Sequence, residues 1–135
     1  MLKYLLDTDI VIYVLKRRPR ELLEPFNQAA GRMAISAVTL AELMHGVEMS
    51  ARPAENLHTV EDFCSRLEVL PYGRRACRHY GEIRAGLERE GRTIGVNDLH
   101  IAAHARSEGL VLVSNNSAEF GRVPGLLHEN WCSAA

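Results

Sequence analysis

The chain lacks any run of about 18 apolar residues, so nothing in it reads as a membrane span. Cysteine is scarce as well: Cys64, Cys77 and Cys132 are the whole set. The number is odd and no C-x-x-C occurs, which argues against a disulfide framework and against a zinc knuckle. The three thiols read as small core or surface residues, and a reduced, cytoplasmic setting is expected. An excess of positive charge is missing too. Sixteen Lys and Arg face seventeen Asp and Glu, for a net charge of −1. That balance argues against a generally basic nucleic-acid binder. It leaves room for local patches, at Lys16-Arg17-Arg18-Pro19-Arg20 and at Arg74, Arg75, Arg78, Arg84, Arg89 and Arg92, which read equally well as a solvated face or as substrate contacts. There is no internal repeat, low-complexity stretch or linker. An acid at Asp7 comes too early for a secretory signal peptide.

What is present is a hydrophobic content of 47% over 135 residues, enough for one domain, 1–135, with a substantial core. Short apolar runs alternate with helical stretches. Lys3 to Leu6 reads as a buried strand, followed by a helix from Asp9 to Lys16. Pro19 suits the first turn of a second helix running to about Gln28. Met33-Ala34-Ile35 is the next strand, and Ser36 can cap a helix from about Val38 to Ser50. Pro53 opens a helix ending near Leu67, ahead of a strand at Glu68-Val69-Leu70. A helix from about Arg74 to Glu90 stops at Gly91. Another starts at Asn97 or Asp98, runs through Ser107 and ends at Gly109. Leu110 to Val113 is the strongest strand. A helical turn at Ser117 to Phe120 and a weak strand at Leu126-Leu127-His128 close the chain. This alternation predicts an α/β fold, a mostly parallel sheet covered on both faces. Such sheets carry their sites at the carboxyl ends of the strands. Asp7 follows the first strand, and Ser114-Asn115-Asn116 follows the strongest.

Carboxylates dominate the candidate chemistry. Hydrolysis of a phosphodiester needs a deprotonated water, a protonated leaving oxygen and screening of negative charge. A divalent ion supplies most of this, and Mg²⁺ or Mn²⁺ requires several oxygen ligands around one space. Asp7 sits where a buried strand meets solvent, although a strand-end Asp also serves to cap the next helix. Glu42 projects opposite the stripe formed by Leu40, Leu43, Met44 and Val47, so it faces either open solvent or a cleft. Asp98 stands in the first turn of a helix, where the dipole favours an acid, above a small apolar face of Ile101, Ala102 and Ala105. His100 and His104 project to the far side of that helix and read as a solvent- or partner-facing pair. Their i, i+4 spacing lacks the glutamate of a metalloprotease motif. Glu42-x-x-His45 has the spacing of a di-iron bundle ligand pair, but it occurs once, in a chain that reads as α/β.

In order and spacing, four blocks resemble the PIN-domain nucleases, specifically the VapC-type toxins of toxin–antitoxin pairs. They are Leu5-Leu6-Asp7-Thr8-Asp9; Ile35 through Leu43 with Gly46; Ile94-Gly95-x-x-Asp98-x-x-Ile101-Ala102-Ala103-x-Ala105; and Leu112-Val113-Ser114-x-Asn116-x-x-Glu119-Phe120. The resemblance implies a three-layer α/β/α domain, commonly a homodimer, that binds Mg²⁺ or Mn²⁺ and cleaves RNA with an activated water. It implies Asp7, Glu42 and Asp98 as the catalytic, metal-binding acids, Ser114 as a supporting hydroxyl, and a cognate VapB-like antitoxin that blocks the cleft. Two positions depart from the family pattern. Asp9 stands where many members have Asn, and Asn116 where many have a fourth acid. The fourth ligand is thus divided among Asn116, Glu119 and Asp9. A subset with Asn at the latter position acts on transfer RNA, and the reading leans to that substrate.

Two other readings are open. Leu5-Leu6-Asp7-Thr8-Asp9 also resembles the start of a haloacid-dehalogenase-type phosphatase, with Asp7 as nucleophile and Asp9 as general acid. That family needs a lysine after the second motif region or shortly before the third, and the only lysines here are Lys3 and Lys16. The other is a catalytically weak module that binds RNA or an antitoxin.

Overall fold

The computed structural model describes residues 1–132. Five short strands form one sheet in the order β3-β2-β1-β4-β5, every neighbouring pair parallel. They are β1 (Tyr4–Leu6), β2 (Met33–Ser36), β3 (Glu68–Leu70), β4 (Val111–Val113) and β5 (His128–Glu129). The helices are α1 (Thr8–Lys16), α2 (Leu23–Gln28), α3 (Ala37–Glu48), α4 (Pro53–Cys64), α5 (Arg74–Arg89), α6 (Val96–Glu108) and α7 (Ser117–Phe120). They cover both faces, giving an α/β/α sandwich.

Alternation along the strands divides the core. Leu5, Ala34 and Leu112 point to one face and pack with Ile83 and Leu87 of α5 and with Leu99, Ile101, Ala102, Ala103 and Ala105 of α6. Leu6, Ile35 and Val113 point to the other, against Ile10, Val11, Leu43, Val47, Val60 and Phe63. All four residues of β2 are buried, as expected of a strand covered on both sides. On the second face, Leu15 of α1, Phe26 of α2, Phe63 of α4 and Leu67 just beyond it line an open groove of about 520 Å³.

Three boundaries differ from the sequence reading. Pro19 is extended and lies outside a helix; a 3-10 turn at Arg20–Leu22 leads into α2. The helix opened by Pro53 ends at Cys64. The last strand lies at His128–Glu129 because those residues pair with Leu112 and Val113. Where α6 ends, Gly109 takes the left-handed conformation (φ 67°) and its N–H reaches back to the carbonyls of Ala105 and Arg106, a cap that glycine adopts without steric cost. Among the described residues no helix is long and apolar enough to cross a membrane.

Candidate active site

Register builds the site. Leu6 of β1 lies level with Val113 of β4, so the residues that follow, Asp7 and Ser114, emerge side by side at the carboxyl edge. The Asp7 N–H donates to Val113 O at 2.9 Å, extending the ladder one step beyond β1. Both side chains are almost fully buried. The Asp7 carboxylate is held at both oxygens: Thr8 N–H donates to Oδ1 at 2.9 Å and the Ser114 hydroxyl to Oδ2 at 3.0 Å. Asp7 therefore caps α1 and also faces the cleft.

A cavity of about 590 Å³ opens above it, lined by Asp7, Thr8, Asp9, Glu42, Asn97 and Asp98, with Ile12, Val38, Ala41 and His45 completing the wall. Glu42 is aimed into it by two partners. The Thr8 hydroxyl donates to Oε1 at 2.6 Å and the Asn97 amide to Oε2 at 3.0 Å. Thr39, buried in α3, shares a 3.1 Å hydrogen bond with the Thr8 hydroxyl. Asp98 stands in the first turn of α6 and shares a hydrogen bond with the Glu119 carboxyl. Asn116 turns its amide toward Glu119, donating to Oε2 at 2.8 Å, while its backbone N–H donates to Ser114 Oγ at 2.9 Å.

The structure thus brings Asp7, Glu42 and Asp98 to one cavity, with Asp9 on its wall, Ser114 bonded to Asp7, and Glu119 against Asp98. Asn116 meets the site through Glu119. Sequence reasoning missed Thr8, Thr39 and Asn97. Thr8 and Asn97 adjoin Asp7 and Asp98 in first helical turns, a signal that adjacency alone carried; Thr39 had none. The histidine reading is corrected. His104 is buried, with Nδ1 2.7 Å from Ser36 Oγ. His100 stacks on Tyr80 at 4.1 Å between centroids and hydrogen-bonds Tyr72 at 2.9 Å. The residues of α5 and the segment after β3 cover the side of α6 that the helical projection left to solvent.

Crowded acids pay in electrostatics. Burial pushes the Asp7 carboxyl up to about 6, with the Asp9 and Glu42 charges adding to the rise and the Ser114 and Thr8 hydrogen bonds opposing it. Asp98 is pushed up to about 7 by burial, hydrogen bonding with Glu119 and the charges of Asp7, Glu119 and Asp9. A divalent cation would relieve this repulsion, and the lining offers the hard oxygen donors that Mg²⁺ and Mn²⁺ select. Among the described residues no three His, Cys, Asp or Glu side chains close around one point. The fit is to an ion that keeps part of its water shell and contacts one or two carboxylates, as Mg²⁺ commonly does.

A PIN-domain family model matches residues 4–126. Ribonuclease VapC2 of Haemophilus influenzae is 58% identical over 131 residues, 97% of this chain and 99% of that protein. The tRNA(fMet)-specific endonuclease VapC of Shigella flexneri is 50% identical over 131 residues, 97% and 99% of the two chains. The toxin-like chain in the crystal structure of DNA-bound VapBC from Salmonella typhimurium superposes with a TM-score of 0.93 at 50% identity, over 98% of this chain and 100% of that one. The chain belongs to the PIN-domain family, within its VapC branch. That membership sets aside the phosphatase reading, and PIN-domain ribonucleases depend on divalent metal.

Proposed function

We propose that this chain, as one domain over residues 1–135, is the toxin of a toxin–antitoxin pair: a cytoplasmic, homodimeric endoribonuclease that uses Mg²⁺ or Mn²⁺. The observation that carries this is the convergence of Asp7, Glu42 and Asp98 on one cavity at the carboxyl edge of the sheet. These three are the acids that would hold the ion, one or two of them directly and the rest through its water shell, Glu119 is the fourth acid, and Asn116 positions Glu119. When bound, the ion supplies a water of lowered pKa and screens the phosphate oxygens.

The remaining work falls to the protein. Thr8 N–H and Ser114 fix the Asp7 carboxylate so that it cannot rotate away from the cavity. Thr8 and Asn97 hold both Glu42 oxygens, which links α1, α3 and α6 around the same space. Asp98, pushed up to about 7 by burial and its acidic neighbours, is the acid whose ionisation a bound cation would favour most. The substrate is RNA, and the specificity in the Shigella relative's name favours transfer RNA. The partner is a VapB-like antitoxin, and the apolar groove between α1, α2 and α4 is the surface that suits it.

Purified protein with Mn²⁺ and transfer RNA tests the reading. It expects cleavage that EDTA abolishes and that Asp7→Asn lowers by about 100-fold or more. Cleavage that survives both changes overturns it. Metal-loaded protein that binds RNA without cutting it supports the binding-module reading instead.

A further inference from the structure

The basic run at the end of α1 and beyond it is exposed. Lys16, Arg18 and Arg20 border a wide, open depression of about 670 Å³ together with Tyr13 and Asn115. Among the described residues none of these three cations enters an ion pair; in the other basic cluster Arg75, Arg84 and Arg92 each face a glutamate, and Arg74, Arg78 and Arg89 do not. Glu21 is the one acid on the wall, so the depression is net positive. It also adjoins the acidic cavity. Asp9, Tyr13 and Lys16 fall at i, i+4 and i+7 on one face of α1, a path of about 10 Å. Asn115 sits between Ser114, which donates to Asp7, and Asn116, which donates to Glu119.

We propose that this depression is a second nucleic-acid subsite. In it Lys16, Arg18 and Arg20 bind backbone phosphates of single-stranded RNA next to the cleaved linkage, and Tyr13 stacks on a base. The proposal rests on the nuclease reading and adds to it how a chain of net charge −1 holds a polyanion beside its own acids. Cations take the flanking phosphates, so the acids meet only the reacting one. Stacking on an aromatic ring is tolerant of sequence, so the subsite adds grip rather than base choice.

The test measures anisotropy of a fluorescein-labelled single-stranded oligouridylate of about 12 nucleotides in EDTA, where cleavage is absent, across a salt series. Wild type is compared with Lys16→Ala, Arg18→Ala, Arg20→Ala, the triple variant, the charge-keeping Arg18→Lys, and Arg89→Ala on α5 as control. Each alanine variant is expected to weaken binding and to flatten the log–log salt dependence by about 0.7 per lost phosphate contact. The triple variant is expected to lose about tenfold or more, while Arg18→Lys and Arg89→Ala bind like wild type. With Mn²⁺ and transfer RNA, KM is expected to rise with kcat nearly unchanged. An unchanged affinity and salt slope in the triple variant overturns the subsite, as does an equal loss in Arg89→Ala or a loss of antitoxin binding with RNA binding intact. If cleavage then persists, the nuclease reading stands without the subsite. If wild type cleaves nothing yet its RNA binding depends on these cations, the subsite stands and the nuclease reading falls.

Discussion

The two faces of the sheet are built to different standards of closure. On one, α6 is buried on nearly every side: Leu99, Ile101, Ala102, Ala103, His104 and Ala105 all lose solvent. Its small residues allow close approach to α5 and the sheet, and the Tyr72–His100–Tyr80 stack covers its outer side. On the other face, Ile12, Tyr13, Val14, Leu15, Phe26, Leu40, Met44 and Leu67 remain only partly buried, and four of them, Val14, Leu15, Phe26 and Leu67, line an open groove. The closed face holds Asp98 at a fixed height above the sheet. The open face is unfinished as an isolated chain, which suits a toxin that is completed by an antitoxin.

Paired truncations give the largest expected contrast. Ile101→Ala, on the closed face, is expected to cost about 2–5 kcal/mol in denaturant unfolding, and Leu15→Ala, at the groove, no more than about 1 kcal/mol. Equal losses would break the comparison. A charge in the groove tests its purpose. Phe26→Asp is expected to weaken antitoxin binding by about 100-fold, near 2.7 kcal/mol, while metal-dependent RNA cleavage stays close to wild type. Calorimetry and a cleavage assay read the two separately.

Smaller effects come from the edge where the faces meet. The Asp7 and Asp98 carboxyls have folded pKa values raised to about 6 and about 7. The folded state therefore holds more protons than the unfolded one between about pH 4 and 7, and their contribution to stability falls as pH rises through that window. Asp98→Asn is expected to stabilise the metal-free protein by about 1 kcal/mol at pH 7.5, after allowance for solvent screening. The gain should narrow toward pH 4, as thermal melts at several pH values would measure. Saturating Mn²⁺ is expected to raise the Tm of wild type by a few degrees and that of Asp98→Asn by less. A melt insensitive to both metal and Asp98→Asn would remove the shared site.

Much of this was legible in the sequence, and the exceptions have physical causes. Short apolar runs separated by helical stretches are what a parallel sheet covered on both faces requires, so β1 to β4 stood out. Asp7 and Ser114 were visible because each directly follows a strand. Glu42 was visible because it opposes the α3 stripe of Leu43 and Val47. His104 was misread because a helix covered on all sides has no stripe for a helical projection to find. The part played by Asn116 was hidden for another reason: whether an amide offers oxygen or N–H is decided by its neighbours, and only Glu119 settles it. Thr39 lies 31 residues from Thr8, a contact that no local pattern encodes.

Ser36 carries a consequence for how this toxin could be engineered. Its hydroxyl accepts from Val38 N–H at the start of α3 and bonds His104 in the middle of α6, so one oxygen ties the helix of Glu42 to the helix of Asp98 from beneath, while Asn97 ties them at the cavity. Replacing the Ser36 side chain with the methyl of alanine would leave every acid in the chain intact and let their spacing wander with temperature. That makes Ser36 a natural place to build a conditional, attenuated toxin whose chemistry is complete and whose alignment is not.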